Sequence, residues 1–195
     1  MSKVITKTYI ENNSTINQCD IFKNVEFLEY AKDDGDNIEV SKIIFPKVIV
    51  LTQACDLQQD FNAREKINSG LTGTHDKFLI SVIVAPIYNF EEFRLGTHLD
   101  QLGLVMESKG SRSRSQCTNI INNENKRYHY LNFSEDVDLV ESIIDFKHYF
   151  TVTVEYLNSI YDNNYVCSID SLYRELISQR FANFLSRIGL PDPQL

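Results

Sequence analysis

Two stretches of alternating apolar and polar residues, joined by a turn, restrict the fold of this chain more than any other feature. Residues 20–30 (DIFKNVEFLEY) and residues 38–45 (IEVSKIIF) both follow an approximate period of two. Between them, residues 33–37 (DDGDN) form a strong turn sequence. Since successive side chains of a strand point to opposite faces, the pattern predicts an antiparallel β-hairpin.

Runs of consecutive apolar residues predict further strands. The segments KVIVLT (47–52) and FLISVIVA (78–85) are rich in β-branched residues and predict buried strands. Pro46 is expected to break the hairpin ladder before the first, and Pro86 to end the second. Further strands are predicted over 128–133, 143–154 and 165–169. The connecting residues are predicted to be a loop over 53–76, helical over 90–106 and an exposed loop over 107–126.

From residue 171 onward the apolar period becomes that of a helix. Apolar residues fall at positions 172, 173, 176, 177, 181, 184, 185 and 188. Asp170 or Ser171 can act as the N-cap, and Gly189 and Pro191 are typical of a helix end. The pattern predicts an amphipathic C-terminal helix over 171–188.

These elements predict an α+β fold with a small, strongly bent antiparallel sheet or an SH3-like barrel. A middle helical segment and the C-terminal helix complete it. A doubly wound parallel sheet is the alternative, but it needs helices between strands, and the first three predicted strands have none. The chain of 195 residues is expected to form one domain, with a barrel core over about 19–169.

The charges of the chain are segregated. The net charge is −8, which opposes binding to polyanions, and acidic residues concentrate at 33–36 and 134–138. Cations gather between residues 109 and 127. One basic surface is therefore predicted on an acidic protein. Its nucleic-acid-binding candidates are Lys109, Arg112, Arg114, Lys126 and, further along the chain, Lys147.

Several classes of protein are not indicated by the sequence. The first residues, MSKVITKTYIENN, have no apolar h-region, so we expect a cytoplasmic protein without a secretory signal or a membrane span. Four cysteines without a CxxC pair suggest neither disulfides nor a zinc ribbon. Neither GxGxxG nor GxxxxGK[ST] occurs, and no cofactor or metal is predicted.

Cys55 and Asp56 follow a predicted buried strand and are expected where that strand leaves the sheet. A cysteine is nucleophilic as its thiolate, and a neighbouring carboxylate opposes thiolate formation. A structural thiol, a catalytic thiol and a metal ligand are therefore all open for Cys55. Asp56 is interpreted as a turn or capping residue, or as a functional carboxylate.

Arg127 and His129 lie two apart on a predicted strand and so share a face. An arginine can hold an oxyanion and a histidine can move a proton near pH 7, which makes this pair the leading catalytic candidate. Tyr128 and Tyr130 would share the other face, as core residues or as a stacking platform for bases. Burial of the whole strand is the structural alternative.

The residues DFKH at 145–148 contain an acidic-x-Lys triplet, the last part of the PD-(D/E)xK nuclease signature. The earlier acid of that signature would have to be Asp136 or Asp138. A surface strand with salt bridges is the alternative.

Three short motifs, in order, resemble the PemK/MazF family of toxin endoribonucleases. They are CDI at 19–21, FPKVIVLT at 45–52 and VAPIY at 84–88. The resemblance covers roughly residues 19–90 and implies an SH3-like barrel with a nucleic-acid surface. Phe45 stands in the position of the family's catalytic arginine, and Tyr88 in that of a threonine, so the family's cleavage chemistry does not carry over. The whole chain also resembles uncharacterised bacterial proteins with LTQ-x-CDL and DFKHYF elements.

The leading hypothesis is a bacterial PemK/MazF-like protein that binds RNA or single-stranded DNA, with any nuclease activity carried by Arg127 and His129. The alternative is a non-enzymatic interaction subunit of a defence or toxin-antitoxin assembly, with an antitoxin or another subunit as its partner. A third hypothesis is a hydrolase or transferase that uses Cys55 with His129 or His148. Whether the protein is an enzyme stays open at this point.

Overall fold

The computed structural model describes residues 4–11, 15–110, 113–134 and 137–187. It shows an α+β fold in which a curled antiparallel sheet forms half a barrel, with helices packed around it. Within these residues the strands are β1 (Thr8–Tyr9), β2 (Asp20–Asp33), β3 (Ile38–Val50), β4 (Ser81–Asn89), β5 (Tyr128–Leu131), β6 (Ser142–Asp145), β7 (Phe150–Thr153) and β8 (Tyr165–Ile169). The helices are α1 (Ala54–Asn68), α2 (Phe90–Leu95), α3 (Thr118–Ile121), α4 (Val154–Asn164) and α5 (Ser171–Leu185).

The strand order is β1-β8-β2-β3-β4-β6-β5, and β7 also pairs with β4. Short 3-10 turns cover Asp100–Leu102, Arg114–Cys117 and Phe146–His148. No helix in the described part of the chain is long and apolar enough to cross a lipid bilayer.

The predicted hairpin of β2 and β3 is confirmed, but the expected break at Pro46 is wrong. The two strands stay in one register across it, with Lys23 opposite Lys47 and Val25 opposite Phe45. Pro46 has no N–H to give to its neighbour Asn24, which adopts a left-handed φ of 52°. The irregularity is thus shared by both strands.

The irregularity also shifts side chains from one face to the other. Phe22 and Val25 lie in the same apolar cluster, and so do Val48 and Phe45 on the partner strand. Residues three apart in a regular strand would point to opposite faces. The alternation of side chains between the two faces of the sheet therefore shifts by one residue, at Asn24 in β2 and at Pro46 in β3. The two strands stay paired across this shift.

Strand β4 pairs along both of its edges and passes through Pro86, where an end was predicted. One edge pairs with β3 at Val48–Val50, and the other pairs with β7 and then with β6. The Ile83 carbonyl accepts a hydrogen bond from Leu51 N–H, so the odd residues of β4 face β3 and Pro86 faces the β6–β7 side. The partner strand is interrupted there by the 3-10 turn Phe146–His148.

This interruption corrects the predicted strand over 143–154. The predicted segment consists instead of β6, the 3-10 turn and β7, which all lie along one edge of β4, and the chain then enters α4. Thr153 caps α4 by accepting a hydrogen bond from Tyr156 N–H. Helix α4 was not predicted, although its buried residues Val154, Leu157 and Tyr161 have helical spacing.

Helix α1 corrects the predicted loop over 53–76. Its buried residues in the described structure are Leu57 and Asp60, so it has almost no apolar stripe to detect. Polar contacts hold it instead: Arg64 Nε donates to Asp60 at 2.9 Å, and Leu79 N–H donates to the same carboxylate at 2.7 Å. The Arg64 guanidinium also lies over the Phe78 ring, 4.4 Å from its centroid.

Three apolar clusters form the core. The first lies between the sheet and α5 and includes Ile21, Ile49, Ile144, Phe146, Ile177, Phe181 and Phe184. The second lies under α4 and includes Phe22, Val25, Phe45, Phe150, Leu157 and Tyr161. The third lies under α2 and α3 and includes Tyr88, Phe90, Phe93, Ile120, Tyr128 and Tyr130.

Helix α5 presents a narrower apolar face than its sequence predicts. Ile177, Phe181 and Phe184 pack against the sheet, whereas Leu172 and Leu176 are exposed. The helix is described as far as Leu185, and the predicted residues from 188 onward lie outside the described residues.

Gly96 and Gly103 provide a matched test of the loop that packs against β4. Both have positive φ, 82° and 68°, but a Cβ on Gly96 would lie 2.5 Å from the Met106 carbonyl oxygen, whereas a Cβ on Gly103 meets nothing within 4 Å. We expect Gly103→Ala to destabilise the protein by about 1 kcal/mol, the cost of left-handed φ alone, and Gly96→Ala by about 2–4 kcal/mol because the backbone must also move.

The measurement is urea denaturation of both variants followed by circular dichroism. Equal destabilisation by the two substitutions would contradict the close contact at Gly96.

Candidate functional site

Cys55 and Asp56 lie in the first turn of α1, not at the edge of the sheet. Strand β3 ends at Val50, and Gln53 occupies the N-cap position of the helix. The exposed Cys55 Sγ lies 3.6 Å from Gln53 Oε1 and 3.7 Å from Asp56 Oδ1. Asp56 in a first helical turn is favourable for the helix dipole, but the N-cap residue is Gln53, whose side chain makes no capping hydrogen bond, so the capping role of Asp56 stays a prediction. No contact found in the described residues joins Cys55 to a histidine.

His129 is a core residue. It is 4% exposed, and its ring lies 6.4 Å from that of Phe146. Burial, helped by the nearby charge of Arg180, lowers the pKa of His129 to about 3. The imidazole is therefore neutral at pH 7 and shielded from water, which opposes the proton-transfer role predicted for it.

Arg127 lies just before β5 and is bound to Asp145 through two hydrogen bonds. Arg127 Nε is 2.7 Å from Asp145 Oδ1, and Nη2 is 2.5 Å from Oδ2. This geometry engages both oxygens of the carboxylate and raises the pKa of Arg127. No contact in the described part of the chain brings Arg127 and His129 together as a catalytic pair.

The carboxylate of Asp145 is the centre of a hydrogen-bonded network at the interrupted strand. It is fully buried at the end of β6 and also accepts the Lys147 N–H at 3.0 Å. His148 Nδ1 lies 3.5 Å from Asp145 Oδ2 and 3.0 Å from the Tyr88 hydroxyl. The residues 145–148 thus form a capped turn and not the predicted surface strand.

The protons of this network are fixed by burial. Burial lowers the pKa of His148, and burial together with Asp145 raises the pKa of Tyr88. Tyr88 therefore stays a phenol, and its hydroxyl forms a hydrogen bond with His148 Nδ1 in which the tautomer of the imidazole decides the donor. The network is satisfied internally and holds the turn against β4.

The nuclease signature does not assemble in the described residues. Lys147 lies in the 3-10 turn with its side chain exposed, and Asp145 is occupied by Arg127. Asp136 lies outside the described residues. Among the residues that are described, including Asp138, no group of three or more histidine, cysteine, aspartate or glutamate side chains could hold a metal ion.

The predicted basic surface is largely neutralised by carboxylates. Lys109 pairs with Glu107, and Arg114 pairs with both Glu91 and Glu141. The remaining candidates Lys126 and Lys147 are exposed, with no ion pair found for either in the described structure, and Arg112 lies outside it.

Arg180, which lies on α5, has a structural role. Its guanidinium donates to the backbone carbonyls of Asn123, Asn125 and Tyr128, the last two at 2.6 and 2.8 Å. It thereby fixes the loop that leads into β5. A contact with backbone carbonyls leaves no pattern in the sequence of the partner, so sequence reasoning had no signal for it.

The β2–β3 hairpin extends well beyond the rest of the sheet, and we call residues 26–44 the hairpin arm. Pairing of β2 with β8 stops at Phe22, and pairing of β3 with β4 stops at Val48, so the arm is a two-stranded ribbon in the described structure. It carries large exposed apolar side chains, with exposed fractions of 57% for Leu28, 49% for Tyr30, 71% for Ile38, 54% for Val40 and 53% for Ile44.

Cross-strand contacts order the arm, and its charge is acidic. Lys42 pairs with Glu26 at 2.6 Å, and the Ser41 hydroxyl donates to Glu29 at 2.7 Å. Six carboxylates and two lysines lie between residues 26 and 44. Beside the arm lies a cavity of about 540 Å³, lined in part by Leu28, Val40, Thr151 and Tyr156.

A second cavity of about 540 Å³ opens where β3 and β4 separate, and we call it the fork. One wall is β3 from Ile43 to Lys47, and the other is β4 from Ile87 to Asn89. A third wall is formed by residues 97–102, with Glu92, Val140 and Ser142 nearby.

Comparison with protein-family models, with curated proteins and with solved structures finds no match for the chain. The relationship to the PemK/MazF family therefore stays a prediction.

The ion pair of Arg127 with Asp145 is expected to be essential for stability. Asp145→Asn leaves a partly buried guanidinium without its charge partner, so we expect a loss of about 3 kcal/mol in the free energy of unfolding. Glu107→Gln breaks the exposed pair with Lys109 and should leave the unfolding midpoint unchanged. Urea denaturation of both variants tests this, and a stable Asp145→Asn variant would contradict the structural role of the network.

Proposed function

We propose that the protein is a non-enzymatic interaction subunit that binds a protein partner through the hairpin arm. The observation that carries the proposal is the exposed apolar surface on a ribbon whose two strands pair with each other alone in the described structure. A defence or toxin-antitoxin assembly is the predicted setting for such a subunit.

The structure of the arm disfavours its full exposure to water in the absence of a partner. A two-stranded ribbon is marginally stable in isolation, and clustered exposed apolar side chains typically mark an interaction surface. Leu28, Val40 and Ile44 are each more than half exposed, although strands favour burial of such residues. Burial of these side chains by a partner supplies a driving force for association.

Charge indicates the chemistry of the partner surface. The arm is strongly acidic, and the whole chain has a net charge of −8. A partner with basic residues around an apolar patch complements it, and the attraction accelerates association at low salt. The same charge disfavours pairing of the arm with a second copy of itself.

Binding of RNA or single-stranded DNA is the competing hypothesis. The ion pairs of Lys109, Arg114 and Arg127 reduce the cationic surface that phosphates require, and this supports a protein partner over a nucleic acid. Binding of a labelled single-stranded RNA with steep salt dependence, lost on neutralising Lys126 and Lys147, would favour the nucleic acid instead.

The test uses a partner isolated with the tagged protein from its native cells, then purified and recombined with it. The variant Leu28→Asp/Val40→Asp should weaken binding at least 100-fold, because two charges enter the apolar contact. Leu172→Asp is the matched control, since Leu172 is a 73% exposed leucine on α5, outside the arm. Isothermal titration calorimetry gives the affinities.

Equal affinity of the arm variant and the wild-type protein would contradict the proposal. Loss of binding in both variants would also contradict it, because the arm would then not be the specific contact.

A further inference from the structure

The fork exposes strand edges of the protein. Pairing of β3 with β4 ends at Val48 and Pro86. Beyond this point β4 is still paired with β6 on its far side, while β3 is still paired with β2. The inner edges of both strands therefore border the 540 Å³ cavity without pairing to each other.

Hydrogen bonds in the structure identify which amides face the fork. Glu26 N–H donates to the Tyr156 hydroxyl at 2.8 Å, so it points away from β3. Glu26 lies directly opposite Ile44, and opposed residues of an antiparallel pair point both inward or both outward. Ile44 N–H therefore points away from β2, toward the fork.

The same reasoning applies to the other residues at the opening. The Val50 carbonyl accepts a hydrogen bond from Cys19 N–H, so the backbone groups of Val50 face β2. Backbone groups alternate between the two edges of a strand, and the shift at Pro46 lies before Lys47. The backbone groups of Lys47, three residues before Val50, therefore face β4.

On the opposite wall, Ile87 and Asn89 lie an even number of residues after Ile83, whose backbone carbonyl faces β3. Their backbone groups therefore face β3 as well. Lys47 and Ile87 flank the last pair, in which Pro86 has no N–H, so the Ile87 N–H is directed to the Lys47 carbonyl. The Lys47 N–H and the Ile44 N–H are left facing the fork.

The side chains of the fork combine apolar surface with carboxylates. Ile44 and Val140 are more than half exposed, and Leu102 is partly exposed. Glu92 and Asp100 are exposed at the wall formed by the 97–102 segment. Lys47 is the one cation among the lining residues that the structure describes.

We infer that the fork binds an extended peptide segment of the partner, which adds as a strand to the free edge of β3. Backbone edges recognise an extended peptide backbone, alternate apolar pockets recognise its side chains, and Glu92 and Asp100 recognise a lysine or arginine on it. The inference rests on the proposed function and deepens it, since Ile43 and Ile44 belong both to the arm and to the fork.

The first test uses a synthetic octapeptide that alternates valine with lysine and threonine, acetylated and amidated at its ends. We expect saturable binding in an NMR titration, with shifts and slowed exchange for the amides of Ile44 and Lys47. A peptide of the same sequence with alternate N-methylated residues should bind at least tenfold more weakly, because it cannot pair along one edge.

Variants separate the fork from the arm. The variants Asp100→Lys and Gln101→Lys each place a cation beside the basic peptide, and each should weaken peptide binding at least tenfold. Two variants are used so that the test still holds if one of them fails to fold. Leu28→Asp should leave peptide binding unchanged, although it weakens binding of the whole partner.

The outcomes are distinguishable from failure of the proposed function. No peptide binding, or equal binding of the N-methylated peptide, would overturn strand addition in the fork. If the whole partner loses affinity with Leu28→Asp but not with Asp100→Lys, the arm is the interface and the fork inference is wrong. If the reverse holds, the fork inference stands and the proposed role of the arm is wrong.

Discussion

Strand β4 is hydrogen-bonded along both edges, and the positions of the ion-pair network, the arm and the fork all follow from this pairing. On one edge, Pro86 has no N–H to give, and the partner strand is interrupted by the turn Phe146–His148. Interruptions of this kind change the direction of side chains. Here the turn places His148 against Tyr88 and Asp145 against Arg127. On the other edge, β4 and β3 pair briefly and then part, which opens the fork.

The same polar residues that suggest chemistry in the sequence maintain structure in the fold. Arg127 is held by a fully buried carboxylate, and the His129 imidazole is kept neutral by the core around it. A residue that is saturated by internal partners has little capacity left for a substrate. Among the described residues, the apolar side chains of the arm and the strand edges at the fork lack such partners, and these are groups that proteins use to bind other proteins.

The sequence predicts the hairpin and the buried strands of this fold because alternation and β-branched runs report directly on burial. It does not predict α1, since a helix held by Asp60 and Arg64 in place of an apolar stripe has no periodic signal. Both expected proline breaks are wrong for one reason: each proline lies within a strand, and the irregularity appears on its neighbour. The site differs for a similar reason, since partners such as Asp145 for Arg127 are close in space only after folding.

The central claim is that the inner edge of β3 is free at the fork. Amide hydrogen exchange of the free protein, followed residue by residue with NMR, tests it most directly. Phe45 N–H, which alternation directs toward β2, should exchange slowly, whereas Ile44 N–H and Lys47 N–H should exchange at least 100-fold faster. Equal protection of Ile44 and Phe45 would show that the edge is already covered within the chain, and it would contradict the account.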